Sequence, residues 1–174
     1  SFLDNQLFRG WTVSGITVYQ KGLPFSVTDS TSGGIFGTAA GTAQFTCSSI
    51  ESAYTQGTLE QRLARYLNPA CFTTAPIIPA AGFAANAGAT GFGNTPRNAF
   101  RGPRQVNWDL SLIKHFHLGE RHQFSFRGDF FNLFNHPVFR FPSVVNIGTP
   151  STFGLINSTA VPPRLIQFGL KYSF

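Results

Sequence analysis

The chain has 174 residues, enough for one ordinary domain with a single core. Charged residues make up only 11% and aromatic residues 15%, including 20 Phe, so the composition excludes a charge-rich disordered segment and disfavours a soluble helical bundle. The formal net charge is +6, but the basic residues are scattered without a run of five, so nucleic acid is not an expected partner.

No Met occurs in the chain, including at position 1. Because a natural chain begins with Met or with a processed signal, we expect this one to be a fragment or a matured piece of a longer product. Eighteen Gly and 11 Pro interrupt the sequence too often for long helices. The elements are therefore expected to be strands joined by turns and loops.

The first predicted strand covers about residues 8–27. Its alternation is imperfect, because Trp11 and Val13 share one parity whereas Ile16 has the other. Gly15 lies where the parity changes. A glycine at such a point predicts a β-bulge, which would restore the alternation.

A long loop of about residues 28–105 follows, and it contains both cysteines of the chain, Cys47 and Cys71. Neither cysteine lies in a CxxC motif or near a His pair of the kind that binds zinc. We expect a disulfide between them, which would imply an oxidising compartment. The alternative is two unpaired buried thiols in a cytosolic protein.

The middle of the long loop contains one predicted helix. The stretch Thr58-Leu59-Glu60-Gln61 predicts a capping box, and apolar residues continue the helical pattern through Leu67. Pro69 is expected to end this helix. The segment from Ala70 to Asn94 is rich in Ala, Gly and Pro and is expected to be irregular.

Three clean strands are predicted after the loop, over about residues 106–117, 122–134 and 164–174. The turn Leu118-Gly119-Glu120-Arg121 joins the first two as an antiparallel hairpin. In each strand alternate residues are apolar, with Lys114 as an exception, and the residues between them are mainly polar. The apolar set comprises Val106, Trp108, Leu110, Leu112, Phe116, Phe124, Phe126, Phe130, Phe134, Ile166, Phe168, Leu170, Tyr172 and Phe174.

The lengths of the strands and of their connections indicate a membrane barrel. Strands of about 10–13 residues exceed the 5–6 of globular sheets and match the roughly 9–11 of tilted transmembrane strands. Aromatic residues near strand ends, and a short turn alternating with long loops, are typical of outer-membrane barrels. We therefore predict an all-β fold: an antiparallel, long-stranded sheet that is the C-terminal portion of a transmembrane β-barrel. One long extracellular loop would carry a short helix, and residues 1–174 would form a single partial barrel domain.

Candidate chemical sites are few. His115 and His117 share one strand face and, with His122, could approach a metal, but polar-face and turn roles are expected instead. Asp109 and Asp129 lie on the polar faces of adjacent predicted strands, where ion pairs lining a polar interior are expected. Neither a GxSxG motif nor a phosphate-binding loop occurs, so no catalytic residue, metal or cofactor is expected.

A basic and aromatic patch precedes the second long strand. Arg97, Arg101 and Arg104 lie close to Trp108, with Phe100 interleaved. Such a patch could bind an anionic or carbohydrate ligand through bidentate donors and stacking. It could equally anchor the loop where it enters the strand, and we expect anchoring.

Several short motifs occur in a recognisable order. They are Gly10-Trp11-Thr12-Val13-Ser14-Gly15-Ile16, Gly22-Leu23-Pro24-Phe25, Tyr66-Leu67-Asn68-Pro69-Ala70, Gly93-Asn94-Thr95-Pro96-Arg97-Asn98, Arg101-Gly102-Pro103, Asn107-Trp108-Asp109-Leu110-Ser111-Leu112-Ile113-Lys114, Phe130-Phe131-Asn132-Leu133-Phe134-Asn135-His136-Pro137 and the stretch from Arg164 to Phe174. Together they resemble the C-terminal end of the Oar-like TonB-dependent receptors, whose barrel follows a carboxypeptidase-regulatory-like domain and a plug. The resemblance covers nearly the whole chain apart from the variable loop.

The resemblance implies the C-terminal part of a TonB-dependent receptor and transporter in the outer membrane of a Gram-negative bacterium, without enzyme activity. Such barrels have about 22 strands, of which this chain would supply the last four or five. The implied partners are outer-membrane lipid, the barrel-assembly machinery, and the missing N-terminal strands and plug or other copies of the chain. One alternative is a self-assembling structural or adhesive surface module. A soluble secreted binding domain that uses the Arg97–Trp108 patch is a third interpretation.

The last predicted strand ends the chain with an aromatic residue. Alternation that ends in this way looks like the strand by which outer-membrane barrels are handed to their assembly machinery. This strand must also pair within the barrel and face lipid on one side. The expected assembly signal consists of Ile166, Phe168, Leu170, Tyr172 and Phe174.

Overall fold

A computed structural model of the protein describes residues 8–31, 40–75, 92–119 and 121–174. The chain divides into two compact units. We call them the sheet unit (Ser1–Gln20, Gln105–Val138 and Thr159–Phe174) and the loop unit (Lys21–Arg104 and Phe139–Ser158). Where the sequence predicts one partial barrel domain over residues 1–174, the structure has two units, because the long connections have a core of their own.

Strands dominate the described part of the chain, which confirms the predicted all-β fold class. In chain order they are β1 (Trp11–Gln20), β2 (Pro24–Phe25), β3 (Thr28–Asp29), β4 (Gly41–Thr42), β5 (Gln44–Phe45), β6 (Phe72–Thr73), β7 (Phe100–Arg101), β8 (Gln105–Leu118), β9 (His122–Phe131) and β10 (Leu165–Ser173). The helical elements are one α-helix, α1 (Leu59–Ala64), and two short 3-10 turns (Glu51–Ala53 and Pro69–Cys71).

The sheet unit is built on one antiparallel sheet with the strand order β1-β8-β9-β10. The register pairs Leu112 of β8 with Val13 of β1 on one side and with Gly128 of β9 on the other. Phe168 of β10 lies opposite Gly128 in turn. Residues directly opposite one another point to the same face, so this register collects the alternate apolar residues of β8, β9 and β10 on one face, together with Trp11, Val13 and Tyr19 of β1.

The bulge predicted at Gly15 is wrong. The β1–β8 register runs without interruption from Trp11 opposite Lys114 to Gln20 opposite Gln105. The parity change is instead tolerated, and Ile16 lies on the polar face. Glycine suits the unbroken register because a Cβ at position 15 would lie only 3.0 Å from the Asp109 carbonyl oxygen.

Two strands end earlier than the alternation predicts. The first was expected over residues 8–27 but ends at Gln20, after which Pro24, lacking an N–H donor, pairs in the loop unit. The second was expected to reach residue 134 but ends at Phe131, because Asn132 adopts a positive φ of 49° and turns the chain. Phe134, predicted as a member of the strand, therefore lies in the corner that follows β9.

The loop unit contains a hydrophobic core, which the sequence interpretation did not expect. Phe100 is completely buried at its centre, and its ring lies 5.4 Å from Phe72 and 6.0 Å from both Phe25 and Phe45. Short strand pairs, β2–β7, β3–β4 and β5–β6, hold the backbone around these rings. The core cluster comprises Phe25, Val27, Ala43, Ala53, Leu67, Cys71, Phe72, Phe100 and Phe153.

The predicted capping box is confirmed. Thr58 accepts a hydrogen bond from the Gln61 N–H, and the Gln61 side chain accepts one from the Thr58 N–H. However, α1 ends at Ala64 rather than near Pro69. The chain leaves the helix because the Thr55 N–H donates to the Tyr66 carbonyl and Leu67 pairs with Tyr54 across the unit. The irregular segment expected between residues 70 and 94 falls largely on residues 76–91, outside the described part of the chain.

Cys47 and Cys71 form a disulfide in the loop unit, with their Cα atoms 4.9 Å apart and a sequence separation of 24. Cys71 is fully buried in the core cluster. The bond therefore links the 3-10 turn Pro69–Cys71 to the segment that directly follows β5.

We expect reduction of this disulfide to destabilise the loop unit by about 3 kcal/mol, because a cross-link of this span limits the freedom of the unfolded chain. The double substitution Cys47→Ser with Cys71→Ser should have the same effect as reductant. The measurement is urea unfolding of the whole protein. Near-UV circular dichroism follows the buried aromatic cluster of the loop unit. Equal midpoints for the wild-type protein with and without reductant would contradict the expectation.

Candidate functional site

The apolar face of the four-stranded sheet is exposed. We call it the apolar sheet face; Leu170 is 72% exposed there and Phe168 64%. The register places on it Trp11, Val13, Tyr19, Val106, Trp108, Leu110, Leu112, Phe116, Phe124, Phe126, Phe130, Ile166, Phe168, Leu170 and Tyr172. A contiguous exposed apolar surface of this kind is typical of a membrane or protein interface.

Aromatic rings lie at both ends of the apolar sheet face and also in its middle, where Phe168 contacts Phe126 and Phe130. At the end of the short β8–β9 turn, the Tyr172 ring stacks on Phe124 at 4.7 Å and on Phe174 at 5.6 Å. At the other end of the strands, the edge of Phe134 meets Trp108 at 5.2 Å. The rings at the two ends correspond to the aromatic girdles of membrane barrels, and the middle rings add to the apolar band between them.

Lys114 is the one cation on the described apolar sheet face. It is only 2% exposed, and its ammonium donates a hydrogen bond to the Arg9 carbonyl. The rings of Trp11 and Phe116 lie 5.4 and 5.0 Å from Nζ. The charge is thus covered by a carbonyl and two aromatic rings and leaves the face apolar.

The opposite face of the sheet is mainly polar, and its apolar exceptions are Ile16, Val18, Ile113, Phe131 and Leu165. Arg127 Nε donates to both carboxylate oxygens of Asp129, at 3.0 and 2.8 Å, so the expected ion pair is present for this carboxylate. Asp109 instead accepts hydrogen bonds from the Asn107 side chain and the Asn132 N–H, because Arg127 is already committed to Asp129. One face is therefore suited to lipid and the other to water or a polar partner.

The histidines take structural positions. His115 Nδ1 lies 2.8 Å from the Ser125 hydroxyl and 3.1 Å from the Gln123 amide, while His122 Nδ1 lies 2.6 Å from the Tyr172 hydroxyl. In the described ranges, no group of three or more His, Cys, Asp or Glu side chains is arranged to hold a metal ion.

The predicted basic patch is divided between the two units. Arg97, Arg101 and Arg104 belong to the loop unit, and Trp108 belongs to β8. Arg101 anchors the loop through its backbone, since its N–H donates to the Tyr54 hydroxyl and its carbonyl accepts from the Tyr66 hydroxyl. Its guanidinium also donates to the Gly22 carbonyl.

The Tyr66 phenol lies inside this anchoring network. Burial, and then the neighbouring Tyr54, raise the pKa of Tyr66 to about 12 from its ordinary value of 10.0. The phenol therefore stays protonated, and able to donate to Arg101, at any physiological pH.

The loop unit also contains a cavity that sequence reasoning did not find. Its volume is about 680 Å³, and it lies between α1 and the two 3-10 turns. No local pattern marks it, because its walls come from segments that are brought together by the Tyr54–Leu67 pairing and the hydrogen bonds beside it. The lining residues are Ser52, Tyr54, Thr55, Gln56, Gln61, Ala64, Arg65, Asn68 and Pro69.

The expected assembly strand is β10 together with Phe174, which is 91% exposed. Among the described residues, β10 and β1 each pair with a strand on one side only, so each presents a free edge. No helix in the described ranges is both long enough and apolar enough to cross a membrane.

Long antiparallel strands with one apolar exposed face, one polar face and aromatic ends define a segment of a membrane β-barrel. The chain belongs to the outer membrane beta barrel domain family, whose model matches residues 1–167. It is accordingly an outer-membrane protein of a Gram-negative bacterium, as the sequence predicts. A search of curated proteins found no match, and neither did a search of solved structures.

The substitution Leu170→Arg should destabilise the assembled protein by about 2–4 kcal/mol, the cost of an Arg at the lipid-facing midplane of a barrel. Leu170 lies near the middle of β10 on the apolar sheet face. The matched control is Gln167→Arg on the same strand, because residue 167 lies opposite Asp129 on the polar face. Urea unfolding in lipid vesicles measures both variants. Equal losses would contradict the assignment of the two faces.

Proposed function

We propose that this chain is the C-terminal part of the barrel of an Oar-like TonB-dependent receptor, with the loop unit on its extracellular side. The observation that carries the proposal is the asymmetry of the connections. A short turn joins β8 to β9, whereas both long connections, which supply the loop unit, leave the opposite end of the strands. Short periplasmic turns and long extracellular loops are the arrangement of outer-membrane barrels.

The organisation of the loop unit supports a receptor over a simple pore. Extracellular loops that only close a barrel need no hydrophobic core, yet this unit has a buried aromatic cluster and a disulfide. A rigid loop structure is what ligand recognition requires, because preorganisation lowers the entropy lost on binding. The motifs from Gly10 to Phe174 that resemble the Oar-like receptors support the same assignment.

The free edges of β1 and β10 support membership of a larger barrel. An exposed strand edge presents unpaired N–H and C=O groups, and in lipid each of these groups must find a partner. Receptors of the plugged class close with about 22 strands. In the proposed protein, preceding strands would pair with β1, and the first strand of the barrel would pair with β10.

The test uses the native protein, extracted from the outer membrane and detected with an antibody raised against the loop unit. A receptor should run as a single large polypeptide that contains a plug and binds the purified periplasmic domain of TonB. A small polypeptide that forms stable oligomers on an unheated gel would overturn the proposal. That result would favour a self-assembling surface module, in which the edges of β1 and β10 join copies of the chain.

Deletion of Phe174, or Phe174→Asp, should lower the amount of assembled protein in the outer membrane several-fold. We propose that the barrel-assembly machinery recognises the aromatic C-terminal end of β10. The ring of Phe174 is exposed and therefore accessible to it. The matched control is Ser173→Asn, which changes the adjacent position on the opposite face. The measurement is the heat-modifiable fraction in outer-membrane preparations. Assembly of the deletion variant at the wild-type level would leave β10 with a packing role alone.

A further inference from the structure

We propose that the loop-unit cavity binds a short acidic oligosaccharide, with Arg65 holding its carboxylate. The proposal deepens the receptor function and rests on it, since that function puts the loop unit outside the cell. A cavity of about 680 Å³ is in the size range of small-molecule sites and accommodates more than one sugar ring.

The cavity walls are held by backbone hydrogen bonds before any ligand binds. The Asn68 N–H donates to the Ala53 carbonyl at 2.7 Å, and the Thr55 N–H donates to the Tyr66 carbonyl at 3.1 Å. The disulfide at Cys71 and the capping box at the start of α1 fix the two ends of this arrangement. Because the walls are ordered in advance, little conformational entropy remains to be lost on binding.

The lining is rich in hydrogen-bond donors and contains no carboxylate. Gln61 uses its side-chain oxygen on the Thr58 N–H, and Asn68 uses its side-chain oxygen on the Ala70 N–H. Their NH₂ groups and the Arg65 guanidinium have no protein partner within the described ranges. Unused donors of this kind favour a ligand with many oxygen acceptors and a negative charge.

The distribution of the donors favours a sugar acid over a compact anion. A phosphate or sulfate is best held by several converging cations, whereas among the described residues Arg65 is the one cation that lines this cavity. The remaining polar groups are spread along the walls, and two of them already donate within the protein: the Gln56 amide to the Tyr54 carbonyl and the Ser52 hydroxyl to the Ser49 carbonyl. Their side-chain oxygens can still accept hydrogen bonds, and Thr55 adds a further hydroxyl. They suit hydroxyl groups spread over linked sugar rings, with one carboxylate at the guanidinium.

A peptide fits the cavity less well. Peptide recognition relies on added β-strand pairing or on apolar pockets for side chains. Among the lining residues, Ala64 and Pro69 are the only wholly apolar side chains, and Tyr54 is packed edge-on against Tyr66. The loop unit contains seven Lys and Arg against three Asp and Glu. This positive net charge favours an acidic ligand, whereas the scarcity of apolar side chains disfavours a peptide.

The test is calorimetric titration of the protein purified from the outer membrane, with trigalacturonic acid as the probe. The substitution Arg65→Ala should weaken binding about tenfold or more, as expected for the loss of a charge-assisted contact. Arg62→Ala is the matched control, because it removes the same charge from the last turn of α1, directly before the C-cap residue Arg65, at a position that does not line the cavity. This control should retain the wild-type affinity.

Two further ligands identify the chemical class. Maltotriose has the hydroxyls without the charge, and triglutamate has the charge on a peptide; both should bind at least about tenfold more weakly than trigalacturonic acid. If Arg62→Ala and Arg65→Ala weaken the affinity for trigalacturonic acid equally, the loss comes from the change in net charge rather than from a contact with Arg65. That result would overturn the proposal. Absence of binding at millimolar probe, or equal binding of triglutamate, would also overturn it. The TonB-binding test of the receptor is independent of all these titrations, so failure of one is distinguishable from failure of the other.

Discussion

The register of β8 and β9 is the constraint on which the sheet unit depends. Each of these strands is bonded on both sides, so together they set the position of β1 and β10. Side chains alternate between faces, and a slip by one residue would bring the Arg127–Asp129 pair to the apolar sheet face. In a membrane that exchange would place both charges in lipid, where no water compensates them. The register is therefore specified by the side chains as strongly as by the backbone ladder.

The outward direction of the apolar sheet face has a consequence for the rest of the chain. Because the sheet uses its large apolar residues on an exposed surface, they are not available to bury a core elsewhere. The loop unit accordingly has its own core of stacked aromatic rings around Phe100, and the Cys47–Cys71 disulfide adds a covalent link. The loop unit is therefore stabilised by its own buried aromatic cluster and by the disulfide, without the apolar residues of the sheet.

Asparagine and glycine turn the chain where the sheet unit requires sharp corners. Asn132 and Asn135 both have positive φ, and their side chains bond the backbone of His136 and Arg164 respectively. Gly119 has the same backbone sign in the short turn. These residues end strands whose apolar alternation would otherwise continue, as it does through Phe134 in the sequence. Local backbone preference thus limits the length of β9 more strictly than hydrophobic pattern does.

The residue pattern alone predicts four long strands, the two faces of the last three, the hairpin between β8 and β9 and the capping box of α1. These features depend on periods of two residues or on contacts within four, which can be read along the chain. Tertiary structure alone decided the unbroken register at Gly15, the division of the Arg97–Trp108 patch and the loop-unit core, which recruits the distant segment Phe139–Ser158. It also formed the cavity beside Arg65, since pairing of Tyr54 with Leu67 brings its walls together. The physical reason is that pairing between remote segments is chosen by the summed packing and hydrogen bonding of the whole unit, and no local period records that sum.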